Sequence, residues 1–151
     1  MKGKENNLKI DKIDLDIIEI LQEDGRTPNN EIAARLSLSE GTIRNRITKL
    51  TRNNYLKVKG LINPTLFDDK QLVYLLVTVP LQKGWMKVGK KLSEFPEIKS
   101  VSFLTGRFDL LLEVFIKTNE LADFISEKIG SISEVMSTES VIVLKQFNKW
   151  I

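Results

Sequence analysis

The fold is decided by the stretch TPNNEIAARLSLSEGTIRNRITKL, which spans residues 27–50 and predicts two short helices. The first is expected to begin at Thr27-Pro28, because threonine caps helix N-termini and proline fits the first helical position, and to end near Ser37. The second is expected to follow the capping residue Ser39 and to end near Asn53-Asn54. The apolar residues on their inward faces are Ile32, Ala33 and Leu36 in the first helix and Ile43, Ile47 and Leu50 in the second. Two short helices joined by about three residues are typical of a helix-turn-helix.

Another helix is predicted upstream, where apolar residues recur at helical spacing before the turn signal Asp24-Gly25. Its apolar stripe consists of Ile13, Ile17, Ile18 and Leu21. We therefore expect a three-helix, winged-helix-like helix-turn-helix domain over residues 13–57. A flexible lead-in is expected over residues 1–12.

The outward face of the third helix is polar and basic. Between Ser39 and Lys59, six basic side chains oppose the single acidic residue Glu40, which leaves a charge of +5. When the apolar stripe points inward, the 100° step of an α-helix places polar residues on the opposite side and its flanks. These residues are Gly41, Thr42, Arg44, Asn45, Arg46, Thr48, Lys49 and Arg52. Such a patch suits a polyanion, and the alternative is a solvated helix face.

Five of these residues are candidates for reading bases in the major groove of double-stranded DNA. Asn45 has the geometry to bond adenine through two hydrogen bonds, and Lys49 can reach guanine. Thr42 and Thr48 can touch bases or thymine methyl groups. Gly41 permits close approach of the helix to the DNA.

The three arginines are better suited to phosphates, which position a protein without reading sequence. Arg44, Arg46 and Arg52 are assigned to this role. For Arg46 the alternative is a structural ion pair with an acidic residue of the first helix, such as Asp14 or Asp16.

Beyond the helix-turn-helix the chain alternates strand and helix patterns. The order βαββαβ is predicted, as in a ferredoxin-like sandwich, so the fold class is α+β. The predicted elements are strand Leu72–Val79, helix Trp85–Phe95, strand Ile98–Leu104, strand Asp109–Ile116, helix Glu120–Ile129 and strand Thr138–Phe147. Tyr55–Ile62 alternates weakly and Asn63-Pro64 breaks the pattern, so we expect a connecting strand and hinge over residues 58–70. The βαββαβ domain is then assigned to residues 71–151.

The strands of this second domain are apolar on both faces at residues 72–79 and 141–144. Two helices can cover only one face of the sheet. A second copy of the chain would cover the other face, so we expect a homodimer. The alternative is that the strands pack on the N-terminal domain.

The composition excludes most enzyme chemistry, because the chain has no Cys and no His. Disulfides, thiolate nucleophiles, the common zinc ligands and histidine acid–base groups are therefore absent. We expect no enzymatic activity, no metal and no cofactor. The longest apolar run, Leu72 to Pro80, is shorter than the roughly 18 residues that cross a bilayer, and residues 1–7 lack a signal peptide's apolar segment. A cytoplasmic protein without membrane contact is expected.

Several motifs in both halves of the chain point to one family. In the first half they are Ile13-Asp-Leu-Asp-Ile-Ile18, Asp24-Gly-Arg26, Glu31-Ile-Ala33, Leu38-Ser39, Thr42-Ile43-Arg44, Arg46-Ile47 and Asn54-Tyr-Leu-Lys57. In the second half Thr105-Gly-Arg-Phe-Asp109 matches a G-x-x-D turn, and residues 135–144 resemble a closing V-x-x-T-x-T strand. Together these motifs resemble the Lrp/AsnC (feast/famine) transcriptional regulators over roughly residues 10–147.

The resemblance implies a sequence-specific regulator whose dimers read a pseudo-palindromic operator and assemble further, for example into octamers. It also implies a small effector, commonly an amino acid, that binds between dimers near the G-x-x-D turn. Carried over residue by residue, the effector site consists of Thr105, Gly106, Asp109, Thr138 and Ser140.

The chemistry of this turn suits the backbone of an amino acid. Backbone N–H groups can hold a carboxylate, and the Asp109 carboxylate can hold an ammonium. The alternative is that Gly106 only provides a positive φ and that Asp109 only caps the turn. For the whole chain, the alternative function is an architectural DNA-binding protein without an effector.

Overall fold

The computed structural model describes residues 9–80 and 84–151. The chain divides into two compact units between Gly60 and Leu61, and each unit has its own buried core. Residues 1–8 of the predicted lead-in lie outside the described residues.

The first unit is a three-helix core. α1 spans Lys12–Glu23, α2 spans Asn29–Leu36 and α3 spans Glu40–Arg52. The buried apolar residues come from all three helices and are Ile17, Ile32, Ala33, Ile43 and Leu50. Within the described residues 9–60 the unit contains three helices and no strand. The prediction of a helix-turn-helix is confirmed.

Side-chain caps fix where α1 and α3 begin. Asp11 and Asp14 form a capping box, in which the Asp14 N–H donates to the Asp11 carboxylate over 2.9 Å and the Asp11 N–H donates to the Asp14 carboxylate over 3.2 Å. At α3 the Thr42 N–H donates to the Ser39 hydroxyl over 3.1 Å, as the sequence predicts. Both caps satisfy backbone groups that a helix start leaves unpaired.

The predicted start of α2 is wrong by one residue. Pro28 occupies the cap position in extended conformation, and the Thr27 hydroxyl instead donates to the Asp24 carbonyl over 2.8 Å. Thr27 therefore closes the preceding turn and does not cap the helix. At its other end α2 is closed by Ser37, whose φ of 54° reverses the chain toward α3.

The connecting strand predicted over Tyr55–Ile62 is absent. The Tyr55 N–H donates a hydrogen bond to the Leu50 carbonyl over 2.9 Å, so α3 ends in a turn. The following residues have no regular structure, because a strand needs a neighbour along its length to satisfy its backbone groups. Ile62 exchanges two backbone hydrogen bonds with Ile151, of 2.8 and 3.1 Å, but this contact does not extend into a ladder.

The second unit contains one antiparallel sheet in the strand order β2-β3-β1-β4. Its elements are β1 (Lys70–Thr78), α4 (Trp85–Leu92), β2 (Ile98–Phe103), β3 (Leu110–Lys117), α5 (Leu121–Asp123) and β4 (Ser137–Ile142). A 3₁₀ turn at Thr118–Glu120 leads into α5, and a π-helical segment at Phe124–Ile129 continues it. Another 3₁₀ turn, Pro64–Leu66, precedes β1. The predicted βαββαβ architecture is confirmed.

The core of this unit lies between the sheet and its helices. Alternate residues of the central strands point into it, as the period of a strand requires. These are Val73, Leu75 and Val77 of β1 and Leu110, Leu112 and Val114 of β3, packed against Val88, Leu92, Phe124 and Ile129. At α4 the absence of a side chain at Gly89 admits the Phe103 ring, since a Cβ there would lie 2.5 Å from it.

The opposite face of the sheet, which we call the open face, is only partly covered. It carries Leu72, Tyr74 and Leu76 of β1, because strand residues alternate between faces. Leu72 is buried, Tyr74 and Leu76 are half-buried, and Val141, which pairs with Tyr74 in the β1–β4 register, is exposed.

The last strand is shorter than predicted, since β4 ends at Ile142 and not at Phe147. Its partner β1 begins at Lys70, so few residues remain with which β4 could pair beyond Val143. The rest of the chain returns to β3, where the Lys149 ammonium lies 2.7 Å from the Glu113 carboxylate.

Candidate DNA-binding surface and effector site

The eight residues predicted to bind DNA lie on one helix, α3, with its apolar side turned inward. Ile43 and Leu50 are fully buried, whereas six of the eight residues are exposed. The exposed ones are Gly41, Arg44, Asn45, Thr48, Lys49 and Arg52, and the half-buried ones are Thr42 and Arg46. The helical periodicity of the sequence thus places all eight at or beside one surface.

These side chains differ in what they already bind. The Thr42 hydroxyl lies 2.8 Å from the hydroxyl of the capping Ser39, and the Thr48 hydroxyl donates to the Arg44 carbonyl over 2.8 Å. Arg44 also forms an ion pair with Glu40 one turn earlier. A hydroxyl bonded within its own helix has less capacity left for a base.

Asn45, Lys49 and Arg52 form a contrasting group. Within residues 9–80 and 84–151, their side chains have no hydrogen-bond or ion-pair partner. They are exposed and carry donors, and Asn45 also carries an acceptor. These three side chains can therefore bind a ligand without first breaking a contact.

Arg46 has the opposite character. Its Nη1 donates to both oxygens of Asp11, over 2.9 and 2.8 Å, and to Asp14 over 2.8 Å. Asp14 is only 6% exposed and is the buried charged residue of the described chain. The geometry supports the ion-pair alternative for Arg46, with Asp11 and Asp14 as partners and without Asp16. Asp11 was not predicted as a partner, because it lies in the segment assigned to a flexible lead-in, just before the predicted first helix.

These residues border a cleft of about 400 Å³ at the N-terminal end of α1. Its lining consists of Lys9, Asp11, Asp14, Thr42, Asn45, Arg46 and Lys49. Two lysines, one arginine and two carboxylates thus share the cleft with Asn45. Lys9 was not among the predicted site residues, since it lies in the segment that the sequence assigns to a lead-in.

The residues predicted to bind an effector lie at one end of the sheet of the second unit. Gly106 has a φ of 127°, which favours glycine, and the exposed Thr105 precedes it. The Asp109 N–H donates to the Val77 carbonyl over 3.0 Å, and the Asp109 carboxylate accepts the Val79 N–H over 2.9 Å. Asp109 therefore caps the end of β1 through one carboxylate oxygen.

The β4 residues reach the same end of the sheet from the other side of β1. Thr138 pairs with Val77 in the register, and Ser140 pairs with Leu75 further along. β1 thus separates Asp109 from Thr138, so the two side chains flank one strand. Within one subunit they share an end of the sheet, and Ser140 lies further from it.

An ion pair links the turn to β4. Arg107 Nη2 lies 3.8 Å from the Glu139 carboxylate, and both side chains are exposed. Neither residue was predicted as a site residue. Glu139 lies between Thr138 and Ser140, and Arg107 lies inside the G-x-x-D turn. Their positions beside predicted site residues could have indicated both residues from the sequence.

The described part of the chain shows neither a metal site nor a membrane span. Across residues 9–80 and 84–151, no group of three or more acidic residues is placed to hold a metal ion. No described helix combines the length and apolarity that crossing a bilayer requires.

Two family models match the two units. A model of the AsnC-type helix-turn-helix domain matches residues 10–51, and a model of the Lrp/AsnC ligand binding domain matches residues 72–149. The HTH-type transcriptional regulator FL11 of Pyrococcus furiosus is 36% identical over 137 residues, which cover 90% of each chain.

Solved structures show the same fold. The leucine response regulatory protein LrpA of Mycobacterium tuberculosis superposes with a TM-score of 0.80 at 23% identity, over 93% of this chain and 96% of that chain. A transcriptional regulator of Neisseria meningitidis, solved as a complex with L-Met, superposes with a TM-score of 0.72 at 26% identity, over 93% of each chain.

The fold and the surface of α3 define a helix-turn-helix DNA-binding regulator with a separate α/β domain. The chain belongs to the Lrp/AsnC family of transcriptional regulators. The resemblance found in the sequence is confirmed. Because the relatives are regulators, the chain is a DNA-binding transcriptional regulator and not an enzyme.

The capping network of α1 makes the first unit sensitive to acid. The Asp14 N–H and the Arg46 guanidinium hold the pKa of Asp11 below its ordinary value of 3.8. A lowered pKa stabilises the folded state above the ordinary value, and that contribution is lost as the pH falls through the folded-state pKa. We expect Asp11→Asn to flatten the fall in melting temperature from about pH 5 to about pH 2, because asparagine still caps the helix.

Circular dichroism of the full chain would follow the helical signal, to which the first unit contributes α1, α2 and α3. Asp16→Asn is the matched control, since Asp16 lies on α1 outside the capping box, and it should follow the wild-type curve. If the melting temperatures of Asp11→Asn and the wild type fall equally steeply as the pH is lowered, the expectation is contradicted.

Proposed function

We propose that the chain binds double-stranded DNA sequence-specifically by inserting the exposed side of α3 into the major groove. The observation that carries this is the set of exposed and unpaired side chains Asn45, Lys49 and Arg52 on one face of that helix, within the described residues. The width of the major groove accepts an α-helix. The surrounding charge of +5 between Ser39 and Lys59 favours the approach of a polyanion.

The three side chains have different tasks in this proposal. Asn45 reads adenine through its amide, which offers a donor and an acceptor side by side. Lys49, one turn further, reaches guanine. Arg52 binds a phosphate, which orients the helix and contributes affinity without sequence information.

The substitutions Asn45→Ala and Arg52→Ala should separate these tasks. Asn45→Ala should cost about 1–3 kcal/mol of binding free energy at one base position. Arg52→Ala should weaken all sequences alike and lower the slope of affinity against salt by about 0.9, since one phosphate contact is lost. Fluorescence anisotropy would measure both on a duplex enriched from a random library by the wild-type chain.

Asn119→Ala is the matched control, because Asn119 is an exposed asparagine in the second unit. It should bind as the wild type does. If Asn45→Ala binds with wild-type affinity and wild-type base preference, Asn45 does not read a base.

We also propose that the second unit forms a homodimer through the open face of its sheet. The face carries apolar side chains that the helices of the same chain do not cover, and a two-fold dimer would cover both copies at once. A two-fold dimer presents two α3 helices, so its operator would be pseudo-palindromic. Assembly into octamers stays a prediction from the family resemblance.

Val141→Glu should weaken the dimer at least about tenfold, because the contact would bury an unpaired charge. Sedimentation equilibrium of the full chain would measure the association constant. Met86→Glu is the matched control, since Met86 is an exposed apolar residue on α4, on the covered side of the sheet, with 63% exposure against 45% for Val141. A monomeric wild type would exclude the dimer, and an unchanged Val141→Glu dimer would exclude the open face as its contact.

For the effector we propose an amino acid bound at the Gly106 turn, near Thr105, Asp109, Thr138 and Ser140. The Asp109 carboxylate has an oxygen beyond the one that accepts the Val79 N–H, and it can receive an ammonium. A relative of the same fold was solved with L-Met, which supports an amino acid as the ligand class. The alternative is an architectural DNA-binding protein without an effector.

A thermal-shift screen of the twenty amino acids should identify a stabilising effector, since a ligand of the folded state raises the melting temperature by mass action. Asp109→Asn should then weaken that ligand about tenfold or more in calorimetry, because the amide still accepts the Val79 N–H but lacks the charge. Asp68→Asn, an exposed aspartate before β1, should bind as the wild type does. If no amino acid shifts the melting temperature, the architectural alternative is favoured.

The proposed activity also sets a location. A regulator must share a compartment with the DNA it binds, so we propose that the chain acts in the cytoplasm.

A further inference from the structure

Arg46 lies at the edge between the buried and the exposed side of α3. Its side chain is 26% exposed, and the fully buried Ile43 lies one turn before it. Within the described residues, its guanidinium donates hydrogen bonds through Nη1 to Asp11 and Asp14. Arg46 therefore faces the start of α1, while its neighbours Asn45 and Lys49 remain unpaired in the described chain.

The two carboxylates that Arg46 binds are close together and close to the DNA-reading residues. Asp11 and Asp14 bond to each other's backbone N–H groups at the start of α1, and Asp14 is 6% exposed. They line the same cleft as Asn45 and Lys49. Without a cation between them, two negative charges would repel each other and any phosphate brought to that cleft.

The contacts of Arg46 also fix how α3 is rotated about its axis. Burial of Ile43 and Leu50 holds the helix against the core, but apolar contacts have little directional preference. Three charge-assisted hydrogen bonds to α1 have a defined geometry. A small rotation of α3 would move Asn45 and Lys49 along the groove that they are to read.

We propose that Arg46 is a positioning residue for DNA binding, which neutralises Asp11 and Asp14 and fixes the rotation of α3 without contacting DNA itself. This inference rests on the proposed DNA-reading role of α3. It differs from the phosphate contact that the sequence assigned to Arg46. In this arrangement Arg46 is needed for DNA binding only because Asp11 and Asp14 are present.

The dependence on the carboxylates provides the test. Arg46→Met fills similar space but leaves both carboxylates without their cation. We expect it to weaken binding of the library-enriched duplex about tenfold or more, with an unchanged salt slope, because it leaves the nearly buried carboxylate of Asp14 and the half-exposed one of Asp11 without a compensating charge. The triple substitution Asp11→Asn, Asp14→Asn and Arg46→Met removes the unpaired charges but does not restore the hydrogen bonds that fix α3. It should bind about threefold or more tighter than Arg46→Met but weaker than the wild type, with an unchanged salt slope, since asparagine keeps the helix cap.

Two results would overturn the inference. If the triple variant binds no more tightly than Arg46→Met, the carboxylates are not the cause of the lost affinity and the inference fails; a salt slope lowered by about 0.9 in both variants would then show that Arg46 contacts a phosphate directly. If Arg46→Met binds as tightly as the wild type, Arg46 has no part in DNA binding. Where Arg46→Met fails to fold by circular dichroism, the salt slope of the triple variant decides: an unchanged slope supports the inference, and a slope lowered by about 0.9 overturns it.

Two control variants calibrate the measurement. Lys117→Met removes a cation that also lies between two carboxylates, Asp69 and Glu120, but in the second unit, and should leave DNA binding unchanged. Arg52→Met should show the lowered salt slope of a lost phosphate contact. If both Arg52→Met and Asn45→Ala bind as the wild type does, the proposed role of α3 fails, and this outcome is distinct from a failure at Arg46 alone.

Discussion

One-sided burial is the constraint on which the rest of this molecule depends. A small unit can cover only one face of a helix or sheet, so the uncovered face is available for a partner. In α3 the complete burial of Ile43 and Leu50 commits one side to the core and leaves Asn45 and Lys49 at the surface. In the second unit the helices cover one face of the sheet, and Leu76 and Val141 remain on the other.

Burial alone sets which side of α3 faces outward, but electrostatics sets the finer geometry. Asp11 caps α1, receives the Asp14 N–H and binds Arg46 of α3. One carboxylate therefore defines both where α1 begins and how α3 is held against it. A substitution at the start of α1 would for that reason affect the proposed DNA-reading surface through the hydrogen bonds of Asp11, with no rearrangement of the apolar core.

Elements with strong periodicity could be predicted from the sequence, and features that depend on distant partners could not. The stripe through Ile43 and Leu50 predicted α3 and its outward residues, because helical spacing is a local property. The absent strand at Tyr55–Ile62 and the early end of β4 at Ile142 depend on whether a neighbouring strand is present, which no local pattern records. For Arg46 the helix pattern offered Asp14 as a partner, but Asp11 lies before the predicted start of that helix, and the Arg107–Glu139 pair crosses from a turn to another strand.

The Gly106 turn, where we propose that the effector binds, is already formed within one subunit, and this limits how a ligand could act. The turn has its left-handed residue in place at Gly106, and the Asp109 carboxylate is held by the Val79 N–H. A prearranged acceptor loses little freedom when it binds, so the ligand has no need to reshape the turn. A ligand shifts an equilibrium only as far as it binds one state more tightly than another. With the turn unchanged, that difference has to arise from contacts a second subunit adds around Gly106 and Asp109, so an effector at this turn would act through assembly.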